Sequence, residues 1–230
     1  AFAVANRQPS VMQSSAVANR QPSVMQSSAV ANRQPSAMQS SAVANRPLQV
    51  ALTFDDGPHQ TCTPALLNGL KQREVKATFF LMGENIAGKE PLVQRMQAEG
   101  HLIGNHTFHH VQLTKVSEEE AREEVVKTSN AIYEITEEYP VYIRPPFGEW
   151  REGLDLAVTM IPVLWDVDSR DWESQNTASI CSAVLPNVKD GSIILMHDGY
   201  RATVEALRRI VKELKEEGYT FVTVRELIEE

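Results

Sequence analysis

The length, composition and charge of the chain limit its fold and its partners. Its 230 residues suffice for one substantial domain with an appendage, and 42% hydrophobic with 23% charged residues excludes a coiled coil or a fully disordered chain. A net charge of −8 without clustered Lys or Arg argues against nucleic-acid binding. Since no apolar run approaches the ~18 residues of a membrane span, glycans, metal ions and small molecules are the ligands that composition leaves open.

The first 46 residues consist of a 13-residue repeat. AVANRQPSVMQSS starts at Ala3, recurs from Ala16 and, with one substitution, from Ala29, and a truncated AVANR ends the segment. Each copy is rich in Ser, Gln, Asn and Pro, so a packed core of its own is not expected. We predict that residues 1–46 form a flexible spacer before one domain over residues 47–230. Packing of the repeat's Val and Met side chains on that domain is the alternative.

From Leu48 onward, short apolar runs alternate with longer amphipathic segments, which is typical of β/α units around a parallel sheet. We predict strands over residues 50–54, 77–81, 101–103, 141–144, 162–165, 192–196 and 220–222. We predict helices over residues 63–73, 89–98, 117–132, 177–185, 204–217 and 224–229. These units would form a small barrel, and barrels of this kind build their sites at the carboxyl ends of the strands.

Two of the predicted helices begin at local sequence signals. Thr63 is a candidate N-cap, and Pro64 would then occupy the first helical position. Ser117 and Glu120 have the spacing of a capping box, which opens the third predicted helix.

Acids and histidines follow the first and third predicted strands. Asp55 and Asp56 are adjacent, so one can bind a cation while the other faces a substrate; an ordinary Asp-Gly-Pro turn is the alternative. His106 and His110 would share one face of a helical turn. Two imidazoles and a carboxylate make an open three-ligand metal site. His109 could replace either neighbouring histidine, and we expect it instead to face solvent or to support a ligand.

Three later segments add polar residues at the carboxyl ends of the strands, which we call the rim. Arg144 begins RPPFGEW, whose two prolines fix a turn that would let an exposed amide point at an oxyanion. WDVDSRDW at residues 165–172 supplies carboxylates and two tryptophans, and His197 ends the sixth strand. Each segment alone also fits an ordinary loop or a structural histidine. Their common position at the carboxyl ends of strands favours a functional site.

The five segments TFDDGP, HTFHH, RPPFG, DSRDW and LMH resemble, in order, the motifs of the NodB-type polysaccharide deacetylases, carbohydrate esterase family 4. The resemblance covers residues 48–230. It implies an α/β fold, a distorted (β/α)7-8 barrel with the repeat as an N-terminal extension. It also implies metal-dependent removal of acetyl groups from a carbohydrate polymer.

The resemblance implies a role for the residues of the first three motifs. Asp55 would be the general base, and Arg144 would orient it and hold it ionised. The metal ligands would be Asp56, His106 and His110. One divalent ion is expected; zinc suits this donor set best, and cobalt, nickel or iron would also fit it.

The last three motifs supply the implied acid and the substrate contacts. His197 would be the general acid, with its pKa tuned by Asp171. The backbone N–H of Phe147 would help bind the oxyanion; many family members have Tyr here, and a main-chain donor does not depend on that hydroxyl. Trp172 and Leu195 would line the groove for the acetyl methyl group and the sugar ring.

RPPFGEW and WDVDSRDW look most like bacterial peptidoglycan deacetylases, so the expected substrate is N-acetylglucosamine in peptidoglycan or a chitin-type glycan. Acetylxylan is the alternative, because ester and amide hydrolysis would use the same residues. A non-catalytic glycan-binding module is a third reading, but it should have lost the base, a ligand or the acid. The resemblance implies an exported protein, extracellular or in the cell envelope. The sequence does not predict an oligomeric state.

Overall fold

The computed structural model describes residues 46–156 and 158–229. The predicted spacer falls almost entirely on residues 1–45, which lie outside the described residues. Within the described ranges, no helix is both long enough and apolar enough to cross a bilayer.

Parallel strands form one curved sheet in the described part of the chain. The strands are β1 (Leu48–Gly57), β2 (Thr78–Leu81), β3 (Leu102–Asn105), β4 (Tyr142–Ile143), β5 (Ile161–Pro162), β6 (Val167–Asp168), β7 (Ser192–His197) and β8 (Tyr219–Val222). Their order is β5-β4-β3-β2-β1-β7-β6, and β8 pairs with the first half of β1. No ladder joins β5 to β6 within the described ranges, so the barrel is open there. The predicted distorted α/β barrel is confirmed.

Helices connect the strands. They are α1 (Cys62–Lys71), α2 (Glu90–Ala98), α3 (Glu118–Thr136), α4 (Asp171–Ser174), α5 (Thr177–Val184), α6 (Arg201–Glu216) and α7 (Val224–Glu229). The predicted cap of α3 is present, since Ser117 Oγ accepts a hydrogen bond from the Glu120 amide at 3.1 Å. The short elements β6 and α4 were not predicted.

The start of α1 corrects the sequence prediction. The helix begins at Cys62 with Thr61 in the N-cap position, so Pro64 is its third residue rather than its first. Thr63 does not cap the helix, because its hydroxyl donates to Asp198 at 2.5 Å and accepts from the His59 amide at 2.6 Å. A tertiary partner therefore takes the side chain that the local signal assigned to the cap.

Strand β1 runs through the centre of the fold and fixes the direction of the first acidic residue. Val50, Leu52 and Phe54 are fully buried in the main core, where each contributes about 1.5–3 kcal/mol. Because side chains alternate along a strand, Thr53 and Asp55 point to the opposite face. Asp55 thus stands at the carboxyl end of β1 on the inner side of the curved sheet.

Candidate active site

Asp55 is held by a buried arginine from the end of β4. Asp55 is 3% and Arg144 0% exposed, and Arg144 Nη1 donates to Asp55 Oδ1 at 3.0 Å. Arg144 also donates to the Thr53 hydroxyl at 2.5 Å and to the carbonyls of Val163 and Leu164 at 3.2 and 3.1 Å. These bonds fix the guanidinium, so one oxygen of Asp55 is occupied and the other remains available. That arrangement suits a carboxylate that takes up a proton.

Asp56, His106 and His110 converge beside Asp55. Asp56 Oδ1 lies 3.3 Å from His106 Nε2 and 3.7 Å from His110 Nε2. One ligand atom from each of the three residues lies within 4.8 Å of the others. Asp55 Oδ2 is 3.8 Å from His106 Nε2, so the second acid borders the group without joining it.

The chemistry of these donors fits a divalent cation. Asp56 Oδ1 is buried and has no hydrogen-bond partner among the described residues. His106 Nδ1 lies 2.6 Å from the Arg144 carbonyl, which can only accept, so His106 Nε2 keeps its lone pair for a metal. Burial lowers the pKa of His110, which favours the neutral imidazole that a metal needs. Burial alone would raise the pKa of Asp56, but the nearby imidazoles, among them the protonated His197, hold it below its usual range.

Residues 106–110, which we call the histidine loop, correct the prediction of a helical turn. Thr107 and His110 have positive φ angles of 63° and 58°, and the segment forms no helix. Left-handed backbone at non-glycine residues costs about 1–2 kcal/mol each, so the conformation depends on outside contacts. The rings of His106 and His110 still meet edge to face, with centroids 4.9 Å apart. The spacing of the two histidines therefore brings them together through a loop.

His109 does not join the group of metal donors. Its Nδ1 lies 2.6 Å from Glu124 Oε1, and its side chain is 54% exposed. This position fits the expectation that His109 faces solvent or supports a ligand.

His197, which is half-buried, forms a second pair with the fully buried Asp171. Asp171 is 0% exposed; its Oδ1 lies 2.7 Å from His197 Nδ1, and its Oδ2 accepts from the Thr203 hydroxyl at 2.6 Å. Burial alone would lower the pKa of His197, but the hydrogen bond and charge of Asp171, with the charges of Asp55 and Asp56, raise it to about 9. His197 is therefore protonated at neutral pH and has a proton to donate. The ladder pairs it directly with Asp55.

The three predicted substrate-contact residues lie around this rim. Phe147 has a φ of 62° and is 64% exposed, and its ring meets His110 with centroids 4.8 Å apart. Trp172 is half exposed at the start of α4. Leu195 is 4% exposed and precedes His197 by two residues on β7, so both side chains are on one face of the strand. Their contacts with a substrate remain predictions.

Sequence reasoning missed several supporting residues. Thr53 could have been found from strand alternation, since it shares the face of Asp55. Thr203 has no local signal because it comes from α6. Asp198 is fully buried against Gly57; burial and the charge of Asp56 raise its pKa to about 7 although Thr63 donates to it. A side chain at position 57 would collide with that carboxyl group.

An open cleft of about 370 Å³ lies beside Asp56 and His197. Its remaining walls are Pro58, His59, Gln60, Asn85, Lys89, Gly199 and Tyr200. The Asn85 side chain donates to the Asp56 carbonyl at 2.8 Å, which ties this wall to the acidic turn. The cleft gives a polar ligand access to Asp56 and His197.

The family model for polysaccharide deacetylases matches residues 43–160. The chain belongs to the polysaccharide deacetylase family. The predicted resemblance is confirmed. The chain is 39% identical over 179 residues to a peptidoglycan-N-acetylglucosamine deacetylase, PgdA of Listeria monocytogenes, a match that covers 78% of this chain and 38% of the relative. It thus spans well under half the length of that relative.

Solved deacetylases share this fold. The peptidoglycan deacetylase PdaC from Bacillus subtilis matches with a TM-score of 0.77 and 38% identity, over 80% of this chain and 91% of the other. A family 4 acetyl xylan esterase from Clostridium thermocellum, solved in complex with a cobalt ion, matches with a TM-score of 0.74 and 35% identity, over 78% and 89% of the two chains. The family to which this chain belongs thus includes a relative solved with a bound metal, and the three donors described above form a candidate metal site.

Proposed function

We propose that this deacetylase hydrolyses the N-acetyl groups of N-acetylglucosamine in peptidoglycan or a chitin-type glycan. The observation that carries the proposal is the convergence of three metal donors beside two separately held groups, Asp55 on Arg144 and His197 on Asp171. One residue able to accept a proton and one able to donate it thus flank the same donors, which is what hydrolysis of an amide requires.

Asp56, His106 and His110 would hold the metal, and zinc is our choice because a carboxylate with two imidazoles is a common zinc donor set. When bound, the ion would polarise the acetyl carbonyl and acidify water. Cobalt, nickel and iron are compatible with the same donors, so the ligand types alone do not decide which metal is bound.

Asp55 would act as the general base. Its Oδ1 is occupied by Arg144, so Oδ2, which faces the metal donors, would take the proton from the attacking water. The Phe147 amide would donate to the oxygen of the acetyl group as negative charge develops there. The turn that carries Phe147 is closed by hydrogen bonds from the Gly148 amide to Pro145 and from the Glu149 amide to Pro146.

His197 would act as the general acid. An amine leaves poorly unless it is protonated, so a proton must reach the nitrogen as the C–N bond breaks. His197 Nε2 would deliver it, because Nδ1 is engaged by Asp171. Positioned acids and bases each contribute roughly 10²- to 10⁴-fold to such reactions. Trp172 and Leu195 would line the groove for the sugar ring and the acetyl methyl group.

Residues 47–230 would form the catalytic domain and residues 1–46 a spacer. Because peptidoglycan lies outside the cytoplasm, we place the protein in the cell envelope or outside the cell. The structural relationship to an acetyl xylan esterase makes O-deacetylation of xylan the second candidate.

Release of acetate from peptidoglycan, chitooligosaccharides and acetylxylan, measured with the zinc-loaded protein, tests the proposal. We expect amide turnover on the first two substrates. Turnover of acetylxylan alone would replace our choice with the esterase. Binding of glycans without acetate release from any substrate would show a non-catalytic module.

A further inference from the structure

Glu124, in the second turn of α3, is a buried carboxylate whose hydrogen bonds all go to the histidine loop. It is 7% exposed. Its Oε2 accepts from the amides of Phe108 at 2.9 Å and His109 at 2.7 Å, and its Oε1 lies 2.6 Å from His109 Nδ1. Hydrogen bonds to an ionised acceptor are about twice as strong as neutral ones. One side chain thus fixes two consecutive peptide groups of the loop.

The histidine loop is held from its other side by a 3-10 turn at Gly83–Asn85. The amides of Gly83 and Glu84 donate to the carbonyls of Thr107 at 3.0 Å and Phe108 at 3.1 Å. A Cβ atom at position 83 would collide with the Phe108 ring. The turn donates hydrogen bonds to carbonyls of the loop, whereas Glu124 accepts hydrogen bonds from its amides. The loop is thus clamped between these two elements.

This clamp bears directly on the positions of the metal donors. Thr107 and His110 both adopt left-handed backbone conformations, which are uncommon outside glycine and especially so for the β-branched Thr107. The peptide groups that Glu124 binds lie between these two residues, and His106 and His110 stand at the ends of the loop. Without Glu124, the loop could relax toward right-handed conformations, and His110 would move relative to His106.

We propose that Glu124 is a positioning residue for metal binding, acting through the backbone of the histidine loop and through His109. The proposal rests on the proposed function, since it takes Asp56, His106 and His110 as the metal ligands. It gives His109 a role that is neither ligand nor catalyst: its imidazole completes the anchor that Glu124 makes.

The test is the affinity of the full chain for Zn²⁺, measured by competition with a chromogenic chelator in three variants. Glu124→Ala should weaken Zn²⁺ binding by about 10- to 100-fold, the range for residues that support metal ligands. Glu124→Gln should recover most of the affinity, because its amide oxygen can accept both backbone hydrogen bonds and its NH₂ can donate to His109 Nδ1. Glu123→Ala removes the exposed neighbouring acid on α3 and should match the wild type.

The outcomes separate this inference from the proposed function. Wild-type affinity in a folded Glu124→Ala protein would overturn the positioning role alone. If the wild type and His106→Ala bind Zn²⁺ equally, the metal site itself is wrong and the proposed function fails. Should Glu124→Ala not fold, Glu124→Asp carries the test: it keeps the charge but is one methylene shorter, and unchanged affinity would again overturn the role.

Discussion

Asp56 and Asp171 both lie at the carboxyl ends of the strands, but their surroundings differ: Asp171 is fully buried, whereas the Asp56 side chain is 38% exposed and only its Oδ1 is buried. Asp171 has both oxygens engaged, by His197, Trp172 and Thr203. Asp56 Oδ1 is buried, close to two imidazoles, and without a hydrogen-bond partner in the described ranges. A carboxylate with its hydrogen bonds satisfied can orient a neighbour and tune its pKa. A buried carboxylate oxygen without a partner is costly, and a cation would offset that cost.

The largest effect is expected from removing one of the proposed metal ligands that lie around Asp56. His106→Ala removes one of three ligands, so bound zinc after dialysis should fall to the background of a stripped sample, and acetate release should fall with it. Metal analysis on the purified variant measures the first effect. Stoichiometric zinc in this variant would contradict the assignment of the ligands.

Arg144→Met removes the buried arginine that pairs with Asp55. The substitution leaves a buried carboxylate without its charge partner, which should cost about 3–5 kcal/mol of the free energy of unfolding. Denaturant unfolding of the metal-free protein gives the value. Arg122→Met is the matched control, since Arg122 pairs with Asp155 at 2.9 Å at the surface and should lose at most about 1 kcal/mol. Equal losses would show that burial of the Arg144 pair has no energetic consequence.

Asp171→Asn should change the pH dependence of the reaction. Because Asp171 raises the pKa of His197 toward 9, His197 stays protonated through neutral pH. If it is the general acid, kcat/KM should decline as pH rises through that pKa. A bound cation offsets the charges of Asp55 and Asp56. In the zinc-loaded enzyme, this decline of kcat/KM, the alkaline limb of the pH profile, should therefore lie below pH 9. The variant should move the limb to lower pH and reduce kcat/KM by roughly 10²-fold. An unmoved alkaline limb would remove His197 from the role of acid.

The same pair makes a pH-dependent contribution to stability. Because the pKa of His197 is raised in the folded protein, the free energy of unfolding gains a contribution that is fully present below about pH 6.5. This contribution is lost as pH rises through about 9. Because the pKa of Asp171 is lowered in the folded protein, it adds a contribution that is present above about pH 3.9 and is lost as pH falls further. In the metal-free protein, Asp171→Asn should therefore reduce stability most between these limits, which unfolding at pH 5.5 and 9.5 would measure. An equal loss at both pH values would contradict the linkage.

The smallest effect should come from removing residues 1–45. Every proposed catalytic residue lies between Asp55 and His197, so kcat/KM should stay within about twofold of the full chain. A large loss of activity or of folding yield would favour packing of the repeat on the catalytic domain.

The sequence predicted the rim but not the backbone that shapes it. Asp55, His106, Arg144 and His197 were found because they follow apolar strands, and parallel strands bring their carboxyl ends together. The histidine loop was mispredicted because its left-handed residues depend on Glu124, a partner 14 residues from His110 that no local signal identifies. Periodicity cannot show which distant element completes a loop.

The two short elements near Asp171 were missed for a related reason. Strand β6 has two residues and α4 four, too few for a hydrophobic period to be visible. Arg170 and Gln175 bound α4 in left-handed conformations, which their residue types do not indicate. The position of Asp171 beneath His197 therefore came from the family resemblance, and its contact with Thr203 came only from the structure.

The central claim is that adjacent aspartates divide the work, with Asp56 binding the metal and Asp55 moving the proton. Bound zinc and acetate release measured together in Asp55→Asn and Asp56→Asn test it most directly. We predict that Asp55→Asn keeps close to wild-type zinc and loses at least roughly 10²-fold in turnover, whereas Asp56→Asn loses both. Loss of zinc from Asp55→Asn, or full zinc in Asp56→Asn, would contradict the division.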